Sequence, residues 1–259
     1  MTTKWLANYN ADEEPSLRLF CFPYAGGGAS LFRGWNRQMD RRVAVCPVRL
    51  PGREMRLRDA PISDLKKMLD EIVDALAPYL CQPYAMFGHS MGAILAYESA
   101  ALAQRRGLGL PKHLFVSARQ APTIERQMIP VPVSTLSDDE FLSYLRRDNS
   151  VTEAFDNPEL KQLVLPTLRA DFEVCQSYRG QYHPKFDFPI TAFVGSDDSH
   201  VSVEDMEGWR DCTTGSFRLR IISGDHFFIS NPTEVIREME DELGPAVFFQ
   251  SVSREGSLV

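Results

Sequence analysis

The segment Gly88-His89-Ser90-Met91-Gly92 matches the G-x-S-x-G spacing of an activated serine. A serine hydroxyl is a weak nucleophile unless a base activates it and the backbone exposes it on a sharp strand-to-helix turn. Both flanks fit that turn. Tyr84 to Phe87 is an apolar run that reads as a strand, and Met91 to Arg105 reads as a helix. Side chains at positions 88 and 92 would clash with the neighbouring strand and helix, hence the glycines. The turn exposes Ser90 Oγ and points the Met91 backbone N–H at a developing oxyanion. A second donor is expected from the loop Phe22-Pro23-Tyr24-Ala25-Gly26-Gly27-Gly28, and the Ala25 N–H is assigned to it. That loop lacks the G-K-[ST] of a phosphate loop, and its glycines do not make G-x-G-x-x-G.

Five histidines compete for the role of base. His89 flanks the nucleophile with its side chain directed away from the hydroxyl, and His113 enters a strand. His183 precedes the fifth strand, and His200 lies in the loop just past it. His226 sits in Ser223-Gly224-Asp225-His226-Phe227-Phe228, directly after the sixth strand. The chain order Ser, acid, His selects His226. The acid should then end the fifth strand, where Gly195-Ser196-Asp197-Asp198 offers two carboxylates. Asp198 fits a G-x-x-D corner and is preferred. Asp197 is the alternative, otherwise left to solvent or to the turn. Its task would be to orient the imidazole and stabilise its cationic form. Histidines and cysteines are too dispersed for zinc spacing, so no metal is expected.

These groups need a scaffold. Apolar runs predict strands at Leu17 to Phe22, Val43 to Val48, Tyr84 to Phe87, Leu114 to Ser117, Ile190 to Val194 and Phe217 to Ile222. Helices are expected at Ser30 to Met39, after Asp64, from Met91 to Arg105, and after Asn231, with Pro232 at the first helical position. Alternating strands and helices predict the α/β class. With the serine turn, the fold expected is the α/β-hydrolase fold, a mostly parallel sheet covered by helices on both faces. About seventy residues between the fourth and fifth strands look helical throughout. A helix start is read at Leu136 to Phe141 and a longer helix from Pro158 to Tyr178. The division expected is a core of 1–127 and 179–259 with a helical lid insertion at 128–178.

A chain of 259 residues, 44% hydrophobic and 24% charged, can bury a substantial core. Its net charge of -7 argues against general nucleic-acid binding. No run approaches a membrane span, and nothing resembles a signal peptide. The five cysteines form no C-x-x-C pair and sit mostly in apolar strings, so buried reduced thiols and a cytoplasmic setting are expected.

The sequence resembles a known family at this point. Phe22-Pro23-Tyr24-Ala25-Gly26-Gly27, Leu50-Pro51-Gly52-Arg53-Glu54, Phe87-Gly88-His89-Ser90-Met91-Gly92 and Gly224-Asp225-His226-Phe227 look like the type II (editing) thioesterases of polyketide synthases and non-ribosomal peptide synthetases. The likeness continues through Ser117-Ala118-Arg119, Leu165-Pro166-Thr167-Leu168-Arg169-Ala170-Asp171 and Trp209. It implies hydrolysis of acyl thioesters from the phosphopantetheine arm of an acyl or peptidyl carrier protein. The substrate brings the phosphopantetheine, so no cofactor is expected. Two departures stand out. Many members have His where Tyr24 stands, and a glycine pair where Asn149-Ser150 stands. Rival readings are a general carboxylesterase or lipase, an acyl-CoA thioesterase, and a non-catalytic partner protein that keeps the fold for binding. An intact Ser90, Asp198 and His226 argue against the last. Arg33, Arg37, Arg41, Arg42, Arg49, Arg53, Arg56 and Arg58 make the most basic stretch of an acidic chain, and a docking surface for an acidic carrier is expected there.

Overall fold

The computed structural model describes residues 3–7, 15–124, 126, 129–147, 157–180 and 183–248. Six strands form one sheet: β1 (Leu17–Phe22), β2 (Val43–Pro47), β3 (Tyr84–His89), β4 (Leu114–Ser117), β5 (Ile190–Gly195) and β6 (Phe217–Ile222). Their order is β2-β1-β3-β4-β5-β6, and every neighbouring pair is parallel. β2, β3, β4 and β5 are buried along their whole length, which is why they read as continuous apolar runs. The chain leaves β1 for β2 on one side and then places β3 on the other. Such a reversal opens a crevice at the carboxyl ends of β1 and β3. The glycine-rich loop and Ser90 both lie at that crevice.

Helices cover both faces. Helix α2 (Leu65–Leu76) starts where the Asp64 carboxylate accepts the Lys67 N–H at 2.7 Å, and it buries Met68, Leu69, Ile72, Val73 and Leu76. It shares one apolar core with α3 (Met91–Arg105). The opposite face is closed by α1 (Trp35–Gln38) and α7 (Thr233–Phe248), through Trp35, Val235, Ile236 and Met239. Two expectations shift here. The helix expected over Ser30 to Met39 breaks at Gly34, whose φ of 94° is left-handed, into a 3-10 turn (Ala29–Phe32) and the short α1. Pro232 also lies just outside α7, where its carbonyl accepts the Ile236 N–H.

Between β4 and β5 stand α4 (Asp138–Arg147) and α5 (Pro158–Ser177). Ser137 and Glu140 cap α4 reciprocally, and Asn157 caps α5. The two helices bury a separate apolar cluster that includes Ile129, Phe141, Leu145, Leu165 and Phe172. The first insertion residue expected, Met128, lies outside the described residues, as do Asn149, Ser150 and the Ser251 to Val259 tail. A short α6 (Val203–Glu207) follows β5. No described helix is long and apolar enough to cross a membrane. Cys21, Cys46 and Cys212 are buried, but Cys175 is half-buried and Cys81 is exposed; all five are free.

Two core histidines set an acid limit. His113 lies beneath the sheet with Nε2 2.8 Å from Thr191 Oγ1, and burial lowers its pKa from 6.5 to about 3. His89 is lowered to about 3, first by burial and then by the nearby His226. Below pH 6.5 the unfolded chain binds protons at these positions and the folded chain does not. Stability therefore falls as pH drops from about 6.5 toward 3, by about 1.4 kcal/mol per pH unit for each histidine. We expect His113→Gln to remove about one such increment from the slope of unfolding free energy between pH 4 and 6. Urea unfolding across that range would show it. A slope unchanged by the substitution would mean His113 is protonated in the fold.

Candidate active site

Ser90 stands between β3 and α3 with φ 53° and ψ -114°, a conformation strained for a residue with a Cβ. Its N–H donates to the Ser117 carbonyl at the end of β4. The flanking glycines are required by contact distance. A Cβ on Gly88 would lie 2.0 Å from the Gly92 carbonyl oxygen, and one on Gly92 would lie 2.1 Å from the Phe22 carbonyl oxygen. The second distance has a consequence for the site. It lets the first turn of α3 sit directly on the end of β1, so the Met91 N–H and the loop after Phe22 share one crevice.

The loop itself is held from three sides. The Gly27 N–H turns back to the Tyr24 carbonyl at 2.9 Å. The Gly26 N–H donates to Asp171 Oδ2 at 2.7 Å, and Asp171 belongs to α5. Arg53 donates to both Asp171 oxygens at 2.7 Å and to the Gly27 carbonyl at 2.9 Å. Asp171 is fully buried and Arg53 almost so. Glu54 accepts the N–H groups of Ala29 and Ser30 and so caps the next turn. Thr167, one turn before Asp171 on α5, donates to the Gly52 carbonyl at 2.8 Å. With Gly26 and Gly27 occupied, the Ala25 N–H is left without a partner among the described residues, as is that of Met91.

Across the crevice, His226 Nδ1 lies 2.9 Å from Asp198 Oδ2. The other carboxylate oxygen accepts the N–H groups of His200 and Val201 at 2.8 and 3.2 Å. Burial pushes the Asp198 carboxyl up. The hydrogen bond and charge of His226, with the two N–H groups, outweigh that and hold it below its ordinary value. An ionised Asp198 fixes the proton on Nδ1, leaving Nε2 of His226 with its lone pair. Asp197 is exposed, and among the described residues its carboxylate accepts only from the Ser196 hydroxyl. Among the described residues, no hydrogen bond joins Ser90 Oγ to the His226 ring. Such contacts often tighten only when substrate arrives.

His89 turns away from the hydroxyl and ties the two halves together. Its Nε2 donates to the His226 carbonyl at 2.8 Å, and its Nδ1 accepts from Ser117 Oγ at 2.8 Å. The neutral ring demanded by its lowered pKa is the form that can do both. Three groups went unassigned from the sequence: His89 as a tie, His200 with its ring 5.1 Å from that of His226, and the Arg53–Asp171 pair. The strings that hold the pair were visible, but nothing in them says that they meet.

The arginine-rich stretch does not make one docking surface. Arg37, Arg41 and Arg42 come before β2, at the amino edge of a parallel sheet whose carboxyl edge holds Ser90. A strand of this length separates the edges by about 17 Å. Arg42 pairs with Asp40, Arg53 is buried on Asp171, and Arg56 is buried against Trp5 and Asp59.

Known proteins match this chain over its length. A model of the thioesterase domain family matches residues 17–243. The gramicidin S biosynthesis protein GrsT of Aneurinibacillus migulanus is 39% identical over 227 residues, 87% of this chain and 88% of that protein. Among solved structures, the thioesterase RedJ of the prodiginine pathway in Streptomyces coelicolor is 40% identical, with a TM-score of 0.81 over 88% of this chain and 91% of its own. The type II thioesterase BorB of the borrelidin cluster is 32% identical, with a TM-score of 0.82 over 92% and 97%.

Removing one partner of a buried ion pair strands the other charge. We expect Arg53→Leu to lower the unfolding free energy by about 3–5 kcal/mol. The double variant Arg53→Leu, Asp171→Leu should lose less than the single one, because no charge is then left buried alone. Denaturant unfolding of both would decide it. A double variant as unstable as the sum of the singles would mean the pair is not coupled.

Proposed function

The chain belongs to the thioesterase family, among the type II thioesterases of synthase pathways, and from that premise we propose that it hydrolyses acyl thioesters borne on the phosphopantetheine arm of a carrier protein. The observation that carries the reading is the His226–Asp198 hydrogen bond beside a serine on a strained turn. Ser90 Oγ attacks the thioester carbonyl while His226 Nε2 takes its proton. The tetrahedral oxyanion is received by the N–H groups of Ala25 and Met91. Collapse expels the pantetheine sulfur, which leaves as a thiol with the proton from His226. Water, deprotonated by the same nitrogen, then attacks the acyl-serine and releases the free acid. Asp198 stays ionised throughout and balances the imidazolium.

A carrier-borne substrate is favoured over a simple ester by the named pathways of the similar proteins. The triad chemistry alone would serve a carboxylesterase equally well. A cytoplasmic setting, where carrier proteins and free thiols coexist, completes the proposal.

Three variants test it. Ser90→Ala should reduce turnover of an acyl-carrier substrate by about a millionfold. Asp198→Asn should lower it by about ten-thousandfold, since it upsets the tautomer of His226, while Asp197→Asn should change it little. Each is measured by thiol release. Labelling of a serine other than Ser90 by a fluorophosphonate would reject the nucleophile, and reversed aspartate results would move the acid to Asp197. Faster turnover of a simple oxyester than of the thioester would favour the esterase reading.

A further inference from the structure

A cavity of 280 Å³ opens between the segment after β4 and the carboxyl end of α5. Arg119, Arg126 and Arg179 line it, together with Ile124, Cys175 and Tyr178. Three arginines around one cavity are unexpected in a chain of net charge -7. Their charges are compensated unequally. Arg126 is paired with Asp205 and donates to the His200 carbonyl at 2.9 Å. Arg179 is exposed and donates to the Gln176 and Tyr178 carbonyls, which offsets the partial negative charge at the end of α5. The Arg119 carbonyl accepts the Trp209 indole N–H at 2.7 Å, but its guanidinium has no hydrogen bond or acidic partner among the described residues, and its Nε is buried without one. The nearby carboxylates are already committed. Glu98 holds Tyr178 and His183, Asp171 holds Arg53, and Asp205 holds Arg126.

Short paths of chain and hydrogen bonds link the cavity's arginines to the candidate active site. Arg119 follows Ser117 by two residues, and Ser117 accepts the Ser90 N–H and donates to His89. Arg126 bonds the carbonyl of His200, whose N–H bonds Asp198. A guanidinium fork with free donors in a part-buried cavity is a receptor for a carboxylate or a phosphate. We propose that this cavity is an oxyanion-binding subsite of the thioester site, with Arg119 as its anchoring cation, and that it takes an anionic group carried by the substrate. Two parts of a thioester supply that chemistry: the phosphate of the pantetheine arm and a carboxylate on the acyl group. The inference rests on the thioesterase reading for its substrate but not for its cation.

The test compares three soluble substrates: propionyl-pantetheine, which is uncharged, propionyl-phosphopantetheine and malonyl-pantetheine. The wild-type protein should show kcat/KM for at least one anionic substrate about tenfold or more above the uncharged one, the preference expected of one well-placed charge pair. Arg119→Gln should bring that ratio close to one, and Arg119→Lys should restore part of it. The substrate whose advantage disappears identifies which anion is held. An unchanged ratio in Arg119→Gln, equal loss on all three substrates, or no anionic preference in the wild type would overturn the subsite. Calorimetric titration with phosphopantetheine and with malonate reads binding without turnover. Binding that depends on Arg119, in a protein that cleaves none of the thioesters, would keep the subsite and remove the thioesterase reading. Absence of cleavage together with no Arg119-dependent binding would remove both.

Discussion

One buried carboxylate, that of Asp171, joins three parts of the chain that the sheet alone would leave independent. One of its oxygens receives both the Gly26 N–H and Arg53, and the other receives Arg53 again. The loop after β1, the turn after β2 and the long helix of the insertion are thereby fixed to a single point. The loop's geometry follows from this. Gly26 has φ 79°, and a Cβ there would lie 2.8 Å from Leu168, so the loop lies flat on α5. The Gly26 and Gly27 N–H groups are occupied, and the Ala25 N–H beside them has no partner among the described residues. A charge in so dry a place is costly by itself, and only a bidentate cation with an added backbone donor makes it tolerable.

The same contact divides the insertion. A lid that moves as a body would have to break the Asp171 and Thr167 bonds to the core, and the first of these is a buried ion pair. The half of α5 around these residues is therefore tied to the core. The start of α5 is attached differently: its Leu160 and Leu163 are exposed, and α4 packs on Leu165, Leu168 and Phe172.

What the sequence made legible was local. The runs of β1, β4 and β6 and the helix Met91–Arg105 have the bounds that the pattern predicts; for β1, β4 and the helix, burial leaves a direct trace in residue type. The serine turn was legible because each glycine answers a specific clash. The choice between Asp197 and Asp198 turned on a spacing, and the structure gives its physical content: one carboxylate is exposed, the other is enclosed by His226 and two N–H groups. The less legible features were contacts between distant residues of ordinary type. Arg53 and Asp171 are 118 positions apart, and a charged residue in a sequence carries no mark of being buried. The run of arginines misled for the same reason. Proximity in sequence placed eight positive charges together, while the intervening strand β2 sends them to opposite edges of the sheet.

The histidines show why residue type alone could not settle roles. His89 and His226 have ring centroids 5.4 Å apart, yet their environments drive them to different duties. His89 has a carbonyl on one nitrogen and a hydroxyl on the other, and burial outweighs the charge of Asp198, which His89 does not touch, so the ring stays neutral. Its two bonds fix the backbone of His226 relative to the strand end that carries Ser90. His226 has an enclosed carboxylate on Nδ1, and that partner can balance the positive ring a proton transfer would create. The division rests on the acid: where Asp198 stands, a histidine can accept a proton during reaction, and where only neutral acceptors and donors stand, it can hold a shape.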